Sequence, residues 1–308
     1  MRAKAAFLPF LVLTGWCSVA LASACCGDPG GLGQRLASGE AASATLSAKY
    51  RERFGSFGGS ERYASLQSGD AERGGEARVS VAARIVEGAE IAASVPFVVT
   101  HRSFGGLDDT GGGAGDLTAA ARLTVLGLDA ASWVPGVWVT QTVVVPTGVS
   151  FDRAEGPLAA DATGQGAPEL RGGVEIEESI AGEGFLLGTV GLGWFGRTSF
   201  GGESTQRGAR LVAAIAGGPI FDFGSFAAGV EHEREAAPYF EGRGEGESRH
   251  LVTPFVSGMV HAAATADIVF AIRSALPLDG AGRNEIAELS TTAGLRLSWD
   301  APSRGGMR

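Results

Sequence analysis

The sequence predicts an all-β fold: a transmembrane, antiparallel up-and-down β-barrel of about 12 strands, with short periplasmic turns and long extracellular loops. Three features predict it. Apolar and polar residues alternate with a period of two in segment after segment, the connections between segments run long and short in turn, and the stretch 291–299 ends on an aromatic residue.

The first residues, MRAKAAFLPFLVLTGWCSVALASACC, place Arg2 and Lys4 ahead of an apolar run at 5–21 and then small residues. That is a secretory signal pattern, assigned to 1–24 and excluded from the fold. Ala20-Leu21-Ala22 and Ala22-Ser23-Ala24 both satisfy the A-x-A rule, and Cys25 after a small residue offers lipidation as a third route, although Ala22 stands where lipoprotein signals usually carry leucine. Residues 25–43 are assigned to a periplasmic segment, 44–299 to the barrel and 300–308 to a tail. Cys25 and Cys26 are adjacent and cannot staple a long loop, so disulfides do not hold this fold. No later apolar run reaches the roughly 18 residues of a helical span, so the expected membrane route is by strands.

The 308 residues are 44% hydrophobic and 19% charged, with 49 glycines and a formal net charge of −9. Glycine at more than twice its usual share of about 7% fits turns and places where strands bend or approach closely. The acidic balance lacks the basic footprint of nucleic-acid binding.

Taken in order, Leu46, Ala48 and Tyr50 oppose Thr45, Ser47, Lys49 and Arg51. Ala77, Val79, Val81, Ala83 and Ile85 oppose Arg78, Ser80, Ala82 and Arg84, and Ile91, Ala93, Val95, Phe97 and Val99 form a third oily face. In the fourth segment, GDLTAAARLTV at 115–125, Leu117, Ala119, Ala121, Leu123 and Val125 share one parity, and Asp116, Thr118, Ala120, Arg122 and Thr124 the other. Less regular strands are predicted at 136–147, 173–181, 184–196, 208–217, 221–232 and 249–261. Ile268, Phe270 and Ile272 then oppose Asp267 and Arg273, and Ala293, Leu295, Leu297 and Trp299 oppose Thr292, Arg296 and Ser298. These segments lie near the roughly 9 to 11 residues of a tilted membrane strand.

Long connections are predicted at about 55–75, 102–114, 148–171, 197–207, 233–248 and 277–288, and short ones at 88–90, 128–135, 182–183, 218–219 and 262–264. A soluble secreted sandwich, the rival fold, has no reason for that alternation, whereas an outer-membrane barrel of even strand number does. TTAGLRLSW resembles the C-terminal assembly signal of bacterial outer-membrane proteins: Thr292, Gly294, Leu297 and Trp299 fit its polar, glycine, hydrophobic and aromatic positions. The tail 300–308 departs from chains that stop at the aromatic. This likeness implies the barrel-assembly machinery and outer-membrane lipid as partners. Trp133, Trp138 and Trp299 are assigned to the periplasmic rim and Trp194 to the outer one, as aromatic girdles.

A barrel also accounts for charge in an oily strand. Asp116 and Arg122 are six residues apart on one face, roughly 20 Å along a strand, too far to pair with each other. Both point into a wet lumen while the opposite face meets lipid, and closure satisfies every backbone N–H and C=O.

GAGDLTAAAR, followed about twenty residues on by VVVPTG, resembles paired motifs of the phenol meta-pathway degradation or "transporter" family of outer-membrane barrels. There a G-D-L/V segment with a later arginine begins one strand and P-T-G closes the next. Gly115, Asp116, Leu117 and Arg122 match the first motif, and Pro146, Thr147 and Gly148 the second. The motif region covers about 35 residues, and the resemblance implies a small-solute channel in the outer membrane of a Gram-negative cell. Pro146-Thr147-Gly148 also reads simply as a strand end and turn.

Lumen parity collects Lys49, Arg51, Arg78, Arg84, Arg122, Arg273 and Arg296 against Asp116, Glu175, Glu177 and Asp267. A locally cationic wall of this kind favours anionic or aromatic-acid solutes. Alternatively, the arginines cross-link opposite walls and plug a narrow pore, since twelve strands lie between the side-chain-filled barrels of about 8 and the open ones of about 16 to 18. No cofactor is expected: GLGWFG at 191–196 matches G-x-G-x-x-G but no helix follows. His101, His232, His250 and His261 lack metal-ligand spacing, and the acidic stretch 231–247, with Asp108 and Asp109, reads as a solvated loop rather than a cation site. The chain is read as a non-enzyme, because no segment sets a serine and histidine beside an acid as 12-stranded lipid hydrolases do. The rival functional class is a structural or adhesin barrel that displays its loops.

Overall fold

The computed structural model describes residues 35–300 except 129–133, 182, 201–202, 241–242 and 245. The expected leader, Cys25, Cys26, Trp133 and the tail at 301–308 lie outside the described residues. Within them the chain forms a closed 12-strand antiparallel β-barrel. Its strands are β1 (Glu40–Phe57), β2 (Ala71–Val86), β3 (Ala89–Phe104), β4 (Leu117–Leu126), β5 (Gly136–Val145), β6 (Glu169–Ile180), β7 (Gly184–Phe195), β8 (Arg210–Phe221), β9 (Gly224–Glu235), β10 (Arg249–Ala263), β11 (Ala266–Ser274) and β12 (Glu285–Asp300). Each pairs with its chain neighbours, and β12 closes the barrel on β1, with Leu46 opposite Leu295 and Ala44 opposite Leu297. Closure leaves no edge in hydrocarbon.

The outer face is oily. Leu46, Val79 and Val95 are register partners on β1, β2 and β3 and stand 60%, 55% and 47% exposed. Side chains of that kind cluster away from water, so a contiguous exposed band fits a lipid solvent. Phe221 and Phe223 stack at 5.2 Å beside the β8–β9 turn, with Phe226 edge-on to both. With exposed Trp299 they give the short-turn rim its aromatics, and exposed Trp194 stands near the opposite end of β7. Trp138 departs from its predicted girdle position: it lies at the short-turn end of β5 but faces inward and is only 6% exposed. Even parity on β5 points to the lumen, which placed it there.

Several connections differ from the sequence reading, among them 197–207, where Arg197–Phe200 pairs with Glu203–Gln206. Most of 102–114 is strand: β3 runs to Phe104, Gly105 and Gly106 turn with φ of 60° and 81°, and Leu107–Ala114 pairs back on the upper part of β3. The glycine-rich return segment has no oily alternation to betray it. The break predicted at 218–219 is continuous β8, and the turn falls at Asp222 and Phe223. Pro219 lacks an N–H and interrupts the β9 ladder only between Gly217 and Ile220, while its β7 register opposite Gly184 persists.

Inside, Phe185, Leu187, Ala227, Met259 and Val269, with Ile220 against them, form an apolar cluster from β7 to β11. The lumen near the short turns is therefore packed with apolar side chains as well as charged ones.

Candidate functional site

The short-turn half of the lumen is held by ion pairs across neighbouring strands. Arg122 on β4 donates to Glu90 of β3 at 3.4 Å and to Glu175 of β6 at 3.1 Å. Arg84 on β2 reaches the other oxygen of Glu90 at 3.4 Å and also donates to the carbonyl of Ala37 at 2.9 Å. The segment before β1 enters this network. Arg35 pairs with Glu177 at 3.3 Å and lies 3.7 Å over the Trp138 ring, while the Leu36 N–H donates to Glu90 at 3.4 Å. Beside it, Arg296 of β12 is fully enclosed and bound to Glu40 and to Asp267, the latter at 3.0 Å; Asp267 also contacts His261 Nδ1 at 2.7 Å. Arg273 bonds Glu231 higher in the barrel. Buried charges of this sort persist because each is paired and hydrogen-bonded, and removal of one partner strands the other. The apolar cluster and the buried Arg35 and Leu36 thus both occupy this half of the lumen.

The long-loop half contains a cavity of about 610 Å³. Six cations line it, Lys49, Arg51, Arg78, Arg102, Arg171 and Arg210, and four carboxylates, Glu76, Asp116, Glu169 and Glu233, which leaves 6 − 4 = +2. Arg78 is held by Glu76 at 2.8 Å, Arg171 by Glu169 at 3.0 Å and Arg210 by Glu233 at 3.1 Å. Pro96, Val98, Val144, Phe151 and Val212 supply apolar surface to the same cavity.

The connection between β5 and β6 folds over the cavity, and the two motifs quoted above hold it there. Thr147 Oγ accepts the Leu117 N–H at 3.0 Å and donates to the Gly115 carbonyl at 2.8 Å. The Asp116 carboxylate accepts the N–H of Gly148 at 3.0 Å and of Gln165 at 2.7 Å, so it fastens both ends of the loop. Gly148 and Gly164 stack backbone to backbone, and a Cβ on Gly148 would meet Gly164 Cα at 2.8 Å. Further along, Asp109 accepts the N–H groups of Leu158 and Ala160, both at 3.0 Å, and Arg102 donates to the carbonyls of Leu158 and Ala159 at 2.8 and 2.7 Å. Asp161 accepts the Glu155 N–H at 2.8 Å and the Gly156 N–H at 3.2 Å. These backbone bonds, the Glu155 N–H first, hold its carboxyl below the usual aspartate range.

Of the predicted lumen residues, Lys49, Arg51, Arg78 and Asp116 meet at the cavity. Arg84, Arg122, Glu175 and Glu177 meet in the first ion-pair network, and Asp267 and Arg296 in the second, while Arg273 stands with Glu231. Thr292, Gly294, Leu297 and Trp299 all lie on β12, with Thr292 opposite Lys49 in the closing seam. Sequence reasoning missed Arg35, Glu40, Glu90, Glu169, Arg171 and Arg210. Glu90 was legible from parity, since Ile91, Ala93 and Val95 face outward. Among the described residues no cluster of three or more metal-ligating side chains occurs. The 191–196 glycines belong to β7, where a Cβ at Gly193 would meet a Glu169 oxygen at 2.6 Å.

No family model and no curated protein matches this chain. Among solved structures, an outer membrane channel from Pseudomonas putida F1 superposes with a TM-score of 0.71 at 14% identity, covering 84% of this chain and 96% of that one. The beta domain of a Bordetella autotransporter gives 0.51 at 10% identity, covering 84% and 100%. At these identities the likeness speaks for the fold, that of outer-membrane β-barrels.

Proposed function

We propose that this chain resides in a bacterial outer membrane and acts as a passive channel for small solutes. The observation that carries the reading is the cavity of about 610 Å³ inside the barrel on the long-loop side, lined by charged and apolar side chains. Its volume suits a small molecule. The lipid-like outer belt and the barrel's likeness to a channel from Pseudomonas putida F1 support the same reading. Passage through to the short-turn side then involves displacement of Arg35 and Leu36 from Glu177 and Glu90, which they bond inside the lumen. The arginines of the lower half act as cross-links for this closure, and the cationic wall above receives the solute. At the opposite end of function, Thr292, Gly294, Leu297 and Trp299 serve recognition by the barrel-assembly machinery.

Liposome swelling tests the channel. Vesicles carrying the refolded protein should swell in isotonic small solutes such as glycine or benzoate, and protein-free vesicles should not. A structural or adhesin barrel would leave swelling at the protein-free rate.

A further inference from the structure

We infer that the cavity binds small amphipathic monocarboxylates, with Lys49 and Arg51 as the groups that hold the anion. The inference rests on the channel reading and narrows its solute class. Among the described residues, Lys49 and Arg51 have no carboxylate within ion-pair distance, whereas the other cations of the cavity each have one. Arg78 is turned to Glu76, Arg171 to Glu169, Arg210 to Glu233, and Arg102 to Glu72 at 3.2 Å. Glu76 stands across the ladder from Lys49 but points to Arg78. Asp116, the remaining acid, keeps its charge but is turned to two backbone N–H groups rather than to a cation. The unpaired cations of the cavity are therefore Lys49 and Arg51, against the single carboxylate of Asp116.

Those two side chains share the lumen face of β1, with roots roughly 7 Å apart, so flexible side chains can converge on one carboxylate. Arg51 donates to the neutral Thr100 hydroxyl at 3.3 Å, which orients the guanidinium without cancelling its charge. Room for it comes from Gly74, where a Cβ would meet Arg51 Nε at 2.4 Å. A purely inorganic anion would leave Val98, Val144, Phe151 and Val212 unused, since all four line the same cavity. A carboxylate with a compact apolar body meets both the unpaired cations and this surface. Unsatisfied buried charge discriminates strongly against the neutral analogue of such a ligand.

The test is calorimetric titration of the folded, detergent-solubilised chain with benzoate, acetate and benzyl alcohol, repeated on Lys49→Gln/Arg51→Gln. Heat-modifiable gel mobility establishes that the variant retains its barrel. Benzoate should bind the unsubstituted protein about tenfold or more tightly than either acetate or benzyl alcohol, and the double variant should lose about tenfold in benzoate affinity. Lys49→Arg, which keeps the charge, should retain binding. Equal affinity for benzyl alcohol, or benzoate binding that survives the double substitution, would overturn the inference. Bilayer conductance on the same preparation separates the two readings. Saturable benzoate binding without conductance would sink the channel and leave the site, and conductance without benzoate binding would do the reverse.

Discussion

Arg122 illustrates how one residue's chemistry reaches the whole lumen. Parity in GDLTAAARLTV places it inside, and the structure gives it two acids, Glu90 and Glu175. Replacement by alanine leaves both carboxylates enclosed without their shared cation, and breaking a buried pair in this way costs about 3–5 kcal/mol. Arg122→Ala should lower the urea midpoint of the refolded barrel and raise its single-channel conductance, as expected of a cross-link that helps close the pore. An unchanged conductance with altered anion preference would instead make Arg122 a filter. Asp116, read as a lumen charge, lines the cavity and also fastens the loop. Sequence parity fixes the face a side chain takes but carries no information about which loop will fold back to meet it. Asp116→Ala frees the Gly148 and Gln165 N–H groups, a loss of about 1–3 kcal/mol, and limited proteolysis should then cut the 148–165 loop sooner than in the unsubstituted chain.

At the level of elements, the strands were more legible than their connections. Period two located six of the twelve, because the lipid face must be apolar at every second position, and the other six were read as less regular strands. The return strand Leu107–Ala114 escaped, since its pairing depends on backbone hydrogen bonds and on close contact of Gly111 with the Asp161 backbone. The β5–β6 loop owes its inward fold to backbone acceptors and donors that hydropathy does not register. Asp161 gives this loop a pH dependence of definite sign. Its carboxyl sits below its unfolded value near 4, so its contribution is complete at neutral pH and is lost as pH falls through the folded value. The protection of the Glu155 and Gly156 amides, measured as exchange relative to the intrinsic rate at each pH, should fall as the medium is acidified below about pH 4, and Asp161→Asn should show that lost protection already at neutral pH. The segment before β1 is a second element with a distinct function. Arg35 and Leu36 carried no periodic signal, yet they bond Glu177 and Glu90 deep in the lumen.

For the molecule as a whole, the sequence reading of a 12-strand barrel agrees with the structure because lipid outside and polar groups inside constrain every strand alike. The interior was only partly legible: the apolar cluster around Phe185 and Met259 shows that a barrel lumen can carry a core as well as a polar cavity. The membrane reading predicts that Val79→Arg, on the exposed belt, destabilises the lipid-refolded barrel by about 2–4 kcal/mol if it lies near the midplane, whereas a water-facing site would tolerate arginine within about 0.5 kcal/mol. Conduction through this barrel is proposed to begin once its inner segment gives way. It is tested most directly by single-channel recording in a planar bilayer, with the refolded chain compared against the same chain lacking residues before Glu40. Discrete steps with anion preference are expected, larger or more frequent in the truncated protein. A correctly folded, heat-modifiable barrel that stays silent in both forms would contradict it.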